Sequence, residues 1–500
     1  MRTPRRRRLL VGLLLAPLLT GCFASGGDAG DSSSDAGSGS RLKVAFAFPP
    51  AENLSPYGAD ATLLSRLGVT EGLTALDANG SAAPALAESW TRQDDRTWQF
   101  TLREATFQDG TAVTAATVAA ALTRATQAEP EPAALTGVTL TAKAAADGRI
   151  TVTTAEPDHV LPLRLSSPGL AVLAPKAFAK KGAVDPVGTA TGPFELTKTT
   201  GSTAATLDRF DDYWGGRAQA AGIDARFIAD GTARANALRT GQVDIAEAVP
   251  VAQAASLDKA TRRETATART TYLHLNTKSG AFKDAGLRAA ARAAVDTSAI
   301  ADGVYEGHAD AGQGIYGPAL TWAEGKRVQP TGRAQAAAPD GTSVTLATYD
   351  NRPELPEAAQ VLKQQLEKAG FRVTLEVREY SRLESDALAG KFDAVVAARN
   401  TMLDSGDPVS VLASDYTSDG GYNLSFLFDK KVDQAVARAE GIEDTAKRQD
   451  AALAAEALIL GADAVVPLVH QRIITGVDAG VQGVLLDPYE RTLVGTGTRR

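Results

Sequence analysis

Residues 343–407 alternate apolar strands with amphipathic helices, and this pattern constrains the fold more than any other feature of the chain. Strands are predicted at 344–348, 373–377 and 392–397, and helices at about 356–369 and near 382–389. Strands that alternate with helices in this way form parallel sheets covered by the helices. The segment therefore predicts an α/β fold.

Charged side chains follow two of these predicted strands. Arg352 comes just after the first strand, and Asp404 and Asp407 come after the third. Ligands of open parallel sheets bind beyond the carboxyl ends of the strands. Arginine can hold a carboxylate with two parallel hydrogen bonds, and aspartate can accept hydrogen bonds from an ammonium group. The pattern suits a zwitterionic ligand; the alternative is that Asp-Ser-Gly-Asp-Pro is only a solvated turn.

A second informative segment, residues 85–122, contains a complete strand, turn and helix. Residues 97–103 alternate between polar and apolar, which indicates a half-buried strand. Its apolar face carries Trp98, Phe100 and Leu102. Asp109-Gly110 supplies the turn, and Thr114 can cap the helix that follows.

The same segment closely resembles the signature of the peptide- and nickel-type (family five) solute-binding proteins of ABC importers. The matching elements are Leu-Ala-Glu-Ser-Trp, Trp-x-Phe-x-Leu-Arg and Phe-x-Asp-Gly-Thr-x-Val-Thr-Ala-x-x-Val, and the motifs are nearest to those of dipeptide- and oligopeptide-binding lipoproteins. The resemblance runs from residue 41 to about 483. It departs at Ala190-Thr191, and at 325–340, where Ala, Pro and Gly replace a helix that relatives often have.

This resemblance implies a two-lobed, periplasmic-binding-protein-like α/β fold with an extra subdomain. Mixed sheets with flanking helices would form two lobes that close on a ligand in the cleft between them. The implied first lobe spans 41–270, with its subdomain at about 80–185. The second lobe spans 271–484, and residues 485–500 return to the first lobe.

The resemblance also implies roles for individual residues. Arg352 is implied as the clamp for the carboxyl terminus of a peptide. Asp407 is implied as the acceptor for the free amine, and Asp404 competes with it for that role.

Three further residues are candidates for ligand contact. Tyr422 and Asn423 resemble a family segment that offers backbone groups to the ligand; the alternative is a plain turn before a strand. Trp322 lies in an irregular region, where it either belongs to the core or stacks on the ligand.

The amino terminus predicts export and lipidation. Arg5–Arg8 precede an apolar run at 9–19 that is too short to span a bilayer, and Leu19-Thr20-Gly21-Cys22 looks like a bacterial lipobox. Residues 1–21 are then a signal peptide, and Cys22 carries the lipid anchor, although an ordinary secretory signal with a chance cysteine is the alternative. Residues 22–40, rich in Gly, Ser and Asp, predict a flexible tether. The expected location is the outer face of the bacterial cytoplasmic membrane.

Composition and missing motifs exclude several functions. The chain has net charge −7, and residues 1–21 carry five arginines and no acid, so the exported part is more acidic still and is not expected to bind nucleic acid. The single cysteine excludes an intrachain disulfide. The four histidines are scattered, and Gly312-Gln-Gly314-Ile-Tyr-Gly317 lacks a strand-to-helix context, so no metal or cofactor is expected. Hydrolase and P-loop motifs are absent, so no enzyme activity is expected.

The sequence therefore predicts a monomeric, lipid-anchored binding protein that captures short peptides and delivers them to an ABC permease. The same fold could bind a nickel chelate or another small solute. A secreted hydrolase that uses Asp404 and Asp407, or an extracellular sensor, would also be compatible with the sequence.

Overall fold

The computed structural model describes residues 39–180, 183–350 and 352–500, without the side chain of Ser381. Cys22, the predicted signal peptide and the tether as far as residue 38 lie outside these ranges. The lipid anchor therefore stays a prediction.

Strands and helices are numbered along the chain. The strands are β1 (Arg41–Phe46), β2 (Thr74–Leu76), β3 (Ala82–Pro84), β4 (Ala87–Arg92), β5 (Thr97–Leu102), β6 (Leu140–Ala144), β7 (Ile150–Thr154), β8 (Phe194–Thr200), β9 (Ala204–Arg209), β10 (Gly222–Phe227), β11 (Ile245–Ala246), β12 (Arg262–Leu275), β13 (Ala309–Ala311), β14 (Ser343–Tyr349), β15 (Arg372–Arg378), β16 (Ala394–Asn400) and β17 (Val465–Val477). The helices are α1 (Asp60–Arg66), α2 (Ala115–Ala125), α3 (Leu161–Arg164), α4 (Gly231–Arg239), α5 (Val251–Ala254), α6 (Ala285–Ala294), α7 (Thr297–Gly303), α8 (Glu354–Lys368), α9 (Tyr380–Leu388), α10 (Pro408–Tyr416), α11 (Lys430–Glu440) and α12 (Thr445–Gly461).

One mixed sheet runs through the described part of the chain. Its strand order is β15-β14-β16-β12-β17-β11-β1-β10-β9-β8, with β13 paired to β17. β14 is parallel to β15 and β16, and β1 is parallel to β10 and β11. Between these two regions, the long strands β12 and β17 run antiparallel to each other, and each also pairs with one region. The predicted lobe boundary at residue 270 falls inside β12, and the predicted lobe ranges stay predictions.

The parallel layer predicted from residues 343–407 is confirmed. β14, β15 and β16 alternate with α8 and α9, and β14 pairs in parallel with both other strands. Helix α8 buries the apolar stripe Leu355, Ala358, Leu362 and Leu366 against the sheet. Because the three strands are parallel, their carboxyl ends at Tyr349, Arg378 and Asn400 lie at one edge.

The predicted unit at residues 85–122 is also confirmed. β5 lies in a four-stranded antiparallel sheet of order β4-β5-β7-β6. Trp98 and Phe100 are buried, whereas Leu102 is half-buried. Asp109 accepts a hydrogen bond from the Thr111 N–H, and Thr114 caps α2 through a reciprocal pair of hydrogen bonds with Thr117.

One predicted helix is divided in two in the structure. Residues 287–300 predict a single helix, but α6 ends at Ala294 and α7 begins at Thr297. The chain is extended at Val295, and the Asp296 side chain accepts a hydrogen bond from the Ala299 N–H, so a new helix begins there. The glycine pattern at 312–317 forms a loop, as predicted.

Within the described ranges, no helix has both the length and the apolar character needed to cross a membrane. The longest, α12, has 17 residues and buries Arg448 and Glu456 among its apolar side chains.

Candidate functional site

A cavity of about 790 Å³ lies between the first half of the chain and the carboxyl edge of the parallel strands. Thr136 and Arg164, from the region of the four-stranded sheet, line one side. Tyr380, Arg399 and Tyr422 line the other. The cavity therefore lies where the strand order predicts a ligand site.

Two tyrosines and a carboxylate form a hydrogen-bonded chain in the cavity wall. The hydroxyl groups of Tyr380 and Tyr422 are 2.8 Å apart, and the Tyr380 hydroxyl donates to Glu384 Oε1 at 2.5 Å. Tyr349, at the end of β14, packs edge-on against Tyr380 with ring centroids 5.0 Å apart. These contacts hold both phenol rings in fixed positions, where they offer hydrogen-bonding groups and aromatic surface to a ligand.

Arg399 joins this wall to two aspartates. Its Nη2 lies 3.1 Å from Asp404 Oδ2, its Nε donates to Asp415 Oδ2 at 3.1 Å, and its guanidinium carbon is 5.4 Å from the centre of the Tyr422 ring. Burial alone would lower the pKa of Arg399, but the charges of Asp415 and Asp404 raise it above its ordinary value. Arg399 thus stays charged and orients the Asp404 carboxylate.

The structure separates the two candidate amine acceptors. Asp404 lines the cavity, and its side chain is 28% exposed. Asp407 is 0% exposed and does not line the cavity. It caps α10 by accepting from the N–H groups of Val409 and Ser410, and it forms a two-point ion pair with Arg448, with Nε–Oδ1 2.7 Å and Nη2–Oδ2 2.6 Å.

The ion pair fixes the charge of Asp407. Burial would raise the pKa of its carboxyl, but Arg448 outweighs that effect and lowers it below the ordinary value. Both carboxylate oxygens of Asp407 already accept hydrogen bonds from Arg448 and from the start of α10. The geometry therefore does not match the preferred sequence interpretation, in which Asp407 accepts the peptide amine. The same burial leaves no open Asp404–Asp407 carboxylate pair for a hydrolase.

Arg352 lies outside the cavity wall, next to a cluster of buried charges. Its guanidinium carbon is 5.6 Å from the centre of the Phe48 ring. None of the described residues forms an ion pair or a side-chain hydrogen bond with it. Burial and the charge of Arg269 lower its pKa, and Glu490 partly offsets them. Arg352 is therefore a half-buried cation without a direct protein partner in the described ranges.

The neighbouring charges connect Arg352 to the cavity. Arg269 donates two hydrogen bonds to Glu490, at 2.9 and 3.1 Å, and Asn400, which lines the cavity, donates to the same carboxylate at 2.9 Å. Burial would raise the pKa of Glu490, but Arg269 and Arg352 lower it to about 2. Glu490 is thus ionised, and both of its carboxylate oxygens are hydrogen-bonded to Arg269.

Of the three remaining residues that the sequence suggested for ligand contact, one lines the cavity and two have structural surroundings. Tyr422 lines the cavity. Asn423 is buried, donates to the carbonyls of Thr417 and Leu427 and accepts from the Leu427 N–H, so its side chain stabilises a turn. Trp322 packs against Tyr316, with ring centroids 5.0 Å apart, and is not among the lining residues.

Sequence reasoning missed Tyr380, Glu384 and Arg399. Tyr380 and Glu384 lie on α9, directly after β15, and Arg399 is the penultimate residue of β16. The rule that selected Arg352 and Asp404, proximity to the carboxyl end of a parallel strand, would also have selected these three.

Two of the four histidines, His274 and His470, are buried beside hydroxyl groups. His274 lies 3.1 Å from Ser425 Oγ, and His470 lies 2.7 Å from Thr270 Oγ1; both are buried, and burial lowers each pKa to about 4. Among the described residues, no three His, Cys, Asp or Glu side chains are arranged to hold a metal ion.

Comparison with known proteins identifies the family. The protein-family model for bacterial extracellular solute-binding proteins, family 5 middle, matches residues 81–423, which is more than half of the chain. The glutathione-binding protein GsiB of Escherichia coli strain K12 is 27% identical over 463 residues, which cover 87% of this chain and 90% of that protein.

Solved structures share the fold. The nickel ABC transporter protein from Bacillus halodurans has a TM-score of 0.73 and 24% identity, over 92% of this chain and 100% of that one. DppA from Helicobacter pylori, in complex with the peptide STSA, has a TM-score of 0.75 and 19% identity, over 92% and 98%. The two-lobed α/β fold predicted from the sequence is thus confirmed. The chain belongs to family 5 of the bacterial extracellular solute-binding proteins, the substrate-binding components of ABC importers.

Proposed function

We propose that this protein captures short peptides with free termini and delivers them to an ABC permease. Asp404 accepts the peptide ammonium group, and Arg352 binds the carboxylate. The observation that carries the proposal is the half-buried Arg352, which has no ion-pair partner among the described residues and follows β14 at the same sheet edge as the cavity-lining Asp404. A partly desolvated cation without a hydrogen-bonded carboxylate favours an incoming carboxylate there.

The cavity supports a ligand of this size. Its volume of about 790 Å³ lies within the range of about 300–1,000 Å³ that is typical of sites for small ligands. The fixed hydroxyl groups of Tyr380 and Tyr422 can bond the peptide backbone or an ordered water. Ligand contacts with both sides of the cavity would favour the closed arrangement of the lobes.

The ligands of two similar proteins support a peptide as the ligand class, without identifying which peptide binds here. The Escherichia coli relative is a glutathione-binding protein, and DppA from Helicobacter pylori holds the peptide STSA. Glutathione is itself a tripeptide with a free ammonium group and two carboxylates. Both ligands carry the charges that Asp404 and Arg352 would bind.

Calorimetric titration with di- to pentapeptides and with glutathione tests the proposal. We expect saturable binding of at least one peptide, and lack of binding by the whole set would overturn it. A nickel chelate with a carboxylate is the second candidate ligand, since NikA from Staphylococcus aureus, a protein of this fold, was crystallised in complex with Ni(L-His)₂. Metal analysis after expression with nickel and histidine distinguishes the two ligands.

The proposal includes attachment to the membrane. Cys22 would carry the lipid and hold a monomer at the outer face of the cytoplasmic membrane, through the tether at 22–40. Labelling of cells with a fatty acid analogue, with Cys22→Ser as control, tests this point. Loss of the label and release of the variant are expected, and a labelled variant would contradict it.

A further inference from the structure

Arg491, in the segment after β17, binds the loop that carries Asp404. Its Nη2 donates to the carbonyls of Met402 at 2.9 Å and Asp404 at 3.2 Å, and its Nε donates to the carbonyl of Leu403 at 3.1 Å. One side chain therefore holds three successive carbonyls at the cavity edge.

The same guanidinium also contacts the first half of the chain. Nη1 donates to Ser166 Oγ at 2.9 Å and to the Ser166 carbonyl at 3.2 Å. Ser166 follows α3, whose last residue, Arg164, lines the opposite side of the cavity. Arg491 thus connects the Asp404 loop to the other wall of the cavity.

The backbone and charge of Arg491 suit this role. The residue is 5% exposed, and Asp487 Oδ2 accepts from its N–H at 2.8 Å, which fixes the segment that presents it. Among the described residues, no carboxylate forms an ion pair with its guanidinium. Burial lowers its pKa to about 10, so the side chain stays charged at neutral pH while it bonds only neutral acceptors.

Two hydrogen bonds from backbone N–H groups to nearby side chains also hold the loop that carries Asp404. The Met402 N–H donates to Asn400 Oδ1 at 3.0 Å, and the Asp407 N–H donates to Ser405 Oγ at 3.3 Å. Gly406 adopts φ +73°, which allows the chain to turn between Asp404 and α10. The Asp404 side chain is also held by Arg399, whose Nη2 lies 3.1 Å from Asp404 Oδ2. Arg399 therefore orients the carboxylate, and the carbonyl contacts from Arg491 hold the backbone that carries it.

We infer that Arg491 is a positioning residue for ligand binding: it fixes the Met402–Asp404 backbone, and so the position of the carboxylate that Arg399 orients, relative to the Arg164 wall. This inference rests on the proposed function for the role of Asp404. It predicts that a change at Arg491 alters recognition of the peptide amine although Arg491 touches no ligand.

The test compares Arg491→Lys and Arg491→Gln with wild type, and uses Arg499→Lys as matched control. Arg499 is an exposed arginine of the same segment that bonds the side chains of Gln219 and Gln482. Lysine keeps the charge but cannot reach four carbonyls at once, whereas glutamine loses the charge as well. The probes are tri-alanine and N-acetyl-tri-alanine, measured by calorimetry and competition.

We expect Arg491→Lys to lower the affinity for tri-alanine by at least about tenfold, which corresponds to one charged hydrogen bond. The affinity for N-acetyl-tri-alanine should change little, so the preference for the peptide with a free amine over the acetylated peptide falls. Arg491→Gln should reduce this preference further. A purely structural role would lower both affinities equally. Equal losses, or an unchanged preference, would overturn the inference.

Hydrogen–deuterium exchange on the unliganded variants gives a second measurement. Residues 402–406 should exchange faster in both Arg491 variants than in wild type and Arg499→Lys. Unchanged exchange there would overturn the inference even if affinity fell. If wild type binds none of the peptides tested, the proposed function and the ligand role of Arg491 both fail, while exchange still decides whether Arg491 fixes the loop.

Discussion

Arg448 holds both carboxylate oxygens of Asp407 in a fully buried ion pair, at 2.6 and 2.7 Å. The pair connects α12 to the first turn of α10, and it directs Asp407 away from the cavity that Asp404 lines. Two aspartates three positions apart therefore have different roles, one in stability and one in the proposed binding of ligand.

Asp407→Ala is expected to destabilise the protein. It would leave Arg448 buried without a counterion, which costs about 3–5 kcal/mol in the free energy of unfolding. Urea unfolding monitored by circular dichroism measures this quantity. A loss below about 1 kcal/mol, as is typical of exposed ion pairs, would contradict the role we assign to the pair.

Asp404→Asn is expected to give the opposite result. Its carboxylate is partly exposed, so stability should change little, whereas affinity for tri-alanine should fall by about 1.5–3 kcal/mol through loss of the charged contact with the amine. Calorimetry measures the affinity, and Asp419→Asn, an aspartate that also lines the cavity, serves as control. Equal effects of the two variants would remove Asp404 from the amine site.

Arg352→Gln is expected to reduce binding of the peptide carboxylate. The loss should be large for tri-alanine and small for tri-alanine amide, which lacks the negative charge. Calorimetry with both peptides measures the difference. If the variant weakens both peptides by the same factor, Arg352 does not contact the carboxylate.

Glu71 should make stability depend on pH. It accepts hydrogen bonds from Tyr213 and Trp214, and burial raises its pKa from 4.5 to about 7. Between these values the folded protein keeps a proton that the unfolded chain has lost. The free energy of unfolding therefore falls as pH rises through this window, by at most about 1.4 kcal/mol per pH unit, and the effect is constant above it.

Glu71→Gln tests this pH dependence, because glutamine does not ionise. The stability of the variant relative to wild type should increase from about pH 4.5 to 7, as measured by urea unfolding. Trp214 fluorescence in folded wild type should change around pH 7, the pKa of Glu71 in the folded protein. Parallel pH profiles for the two proteins would contradict the raised pKa.

Local sequence patterns could predict the parallel layer and the β5–α2 unit because their signals lie within a few residues. Trp98 and Phe100 alternate with polar residues, and Thr114 stands where a helix cap is needed. The break between α6 and α7 was missed although it has a local signal: Val295-Asp296-Thr297-Ser298 interrupts the alanine-rich run, and Asp296 is a typical helix cap.

The roles of Asp404 and Asp407 could not be separated in this way. Both follow the same strand, and the partner that distinguishes them, Arg448, comes from a helix 41 positions further along. Arg491 was missed for the same reason, since its contacts join segments 87–89 and 325 positions apart. Neither relationship has a local sequence pattern.

A crystal structure of the protein with the tightest-binding peptide from the calorimetric series tests the central claim most directly. The account predicts the peptide ammonium nitrogen within hydrogen-bond distance of the Asp404 carboxylate, the peptide carboxylate on Arg352, and an unchanged Asp407–Arg448 ion pair. An ammonium group on Asp407 with Arg448 displaced, or a peptide that contacts neither Asp404 nor Arg352, would contradict it.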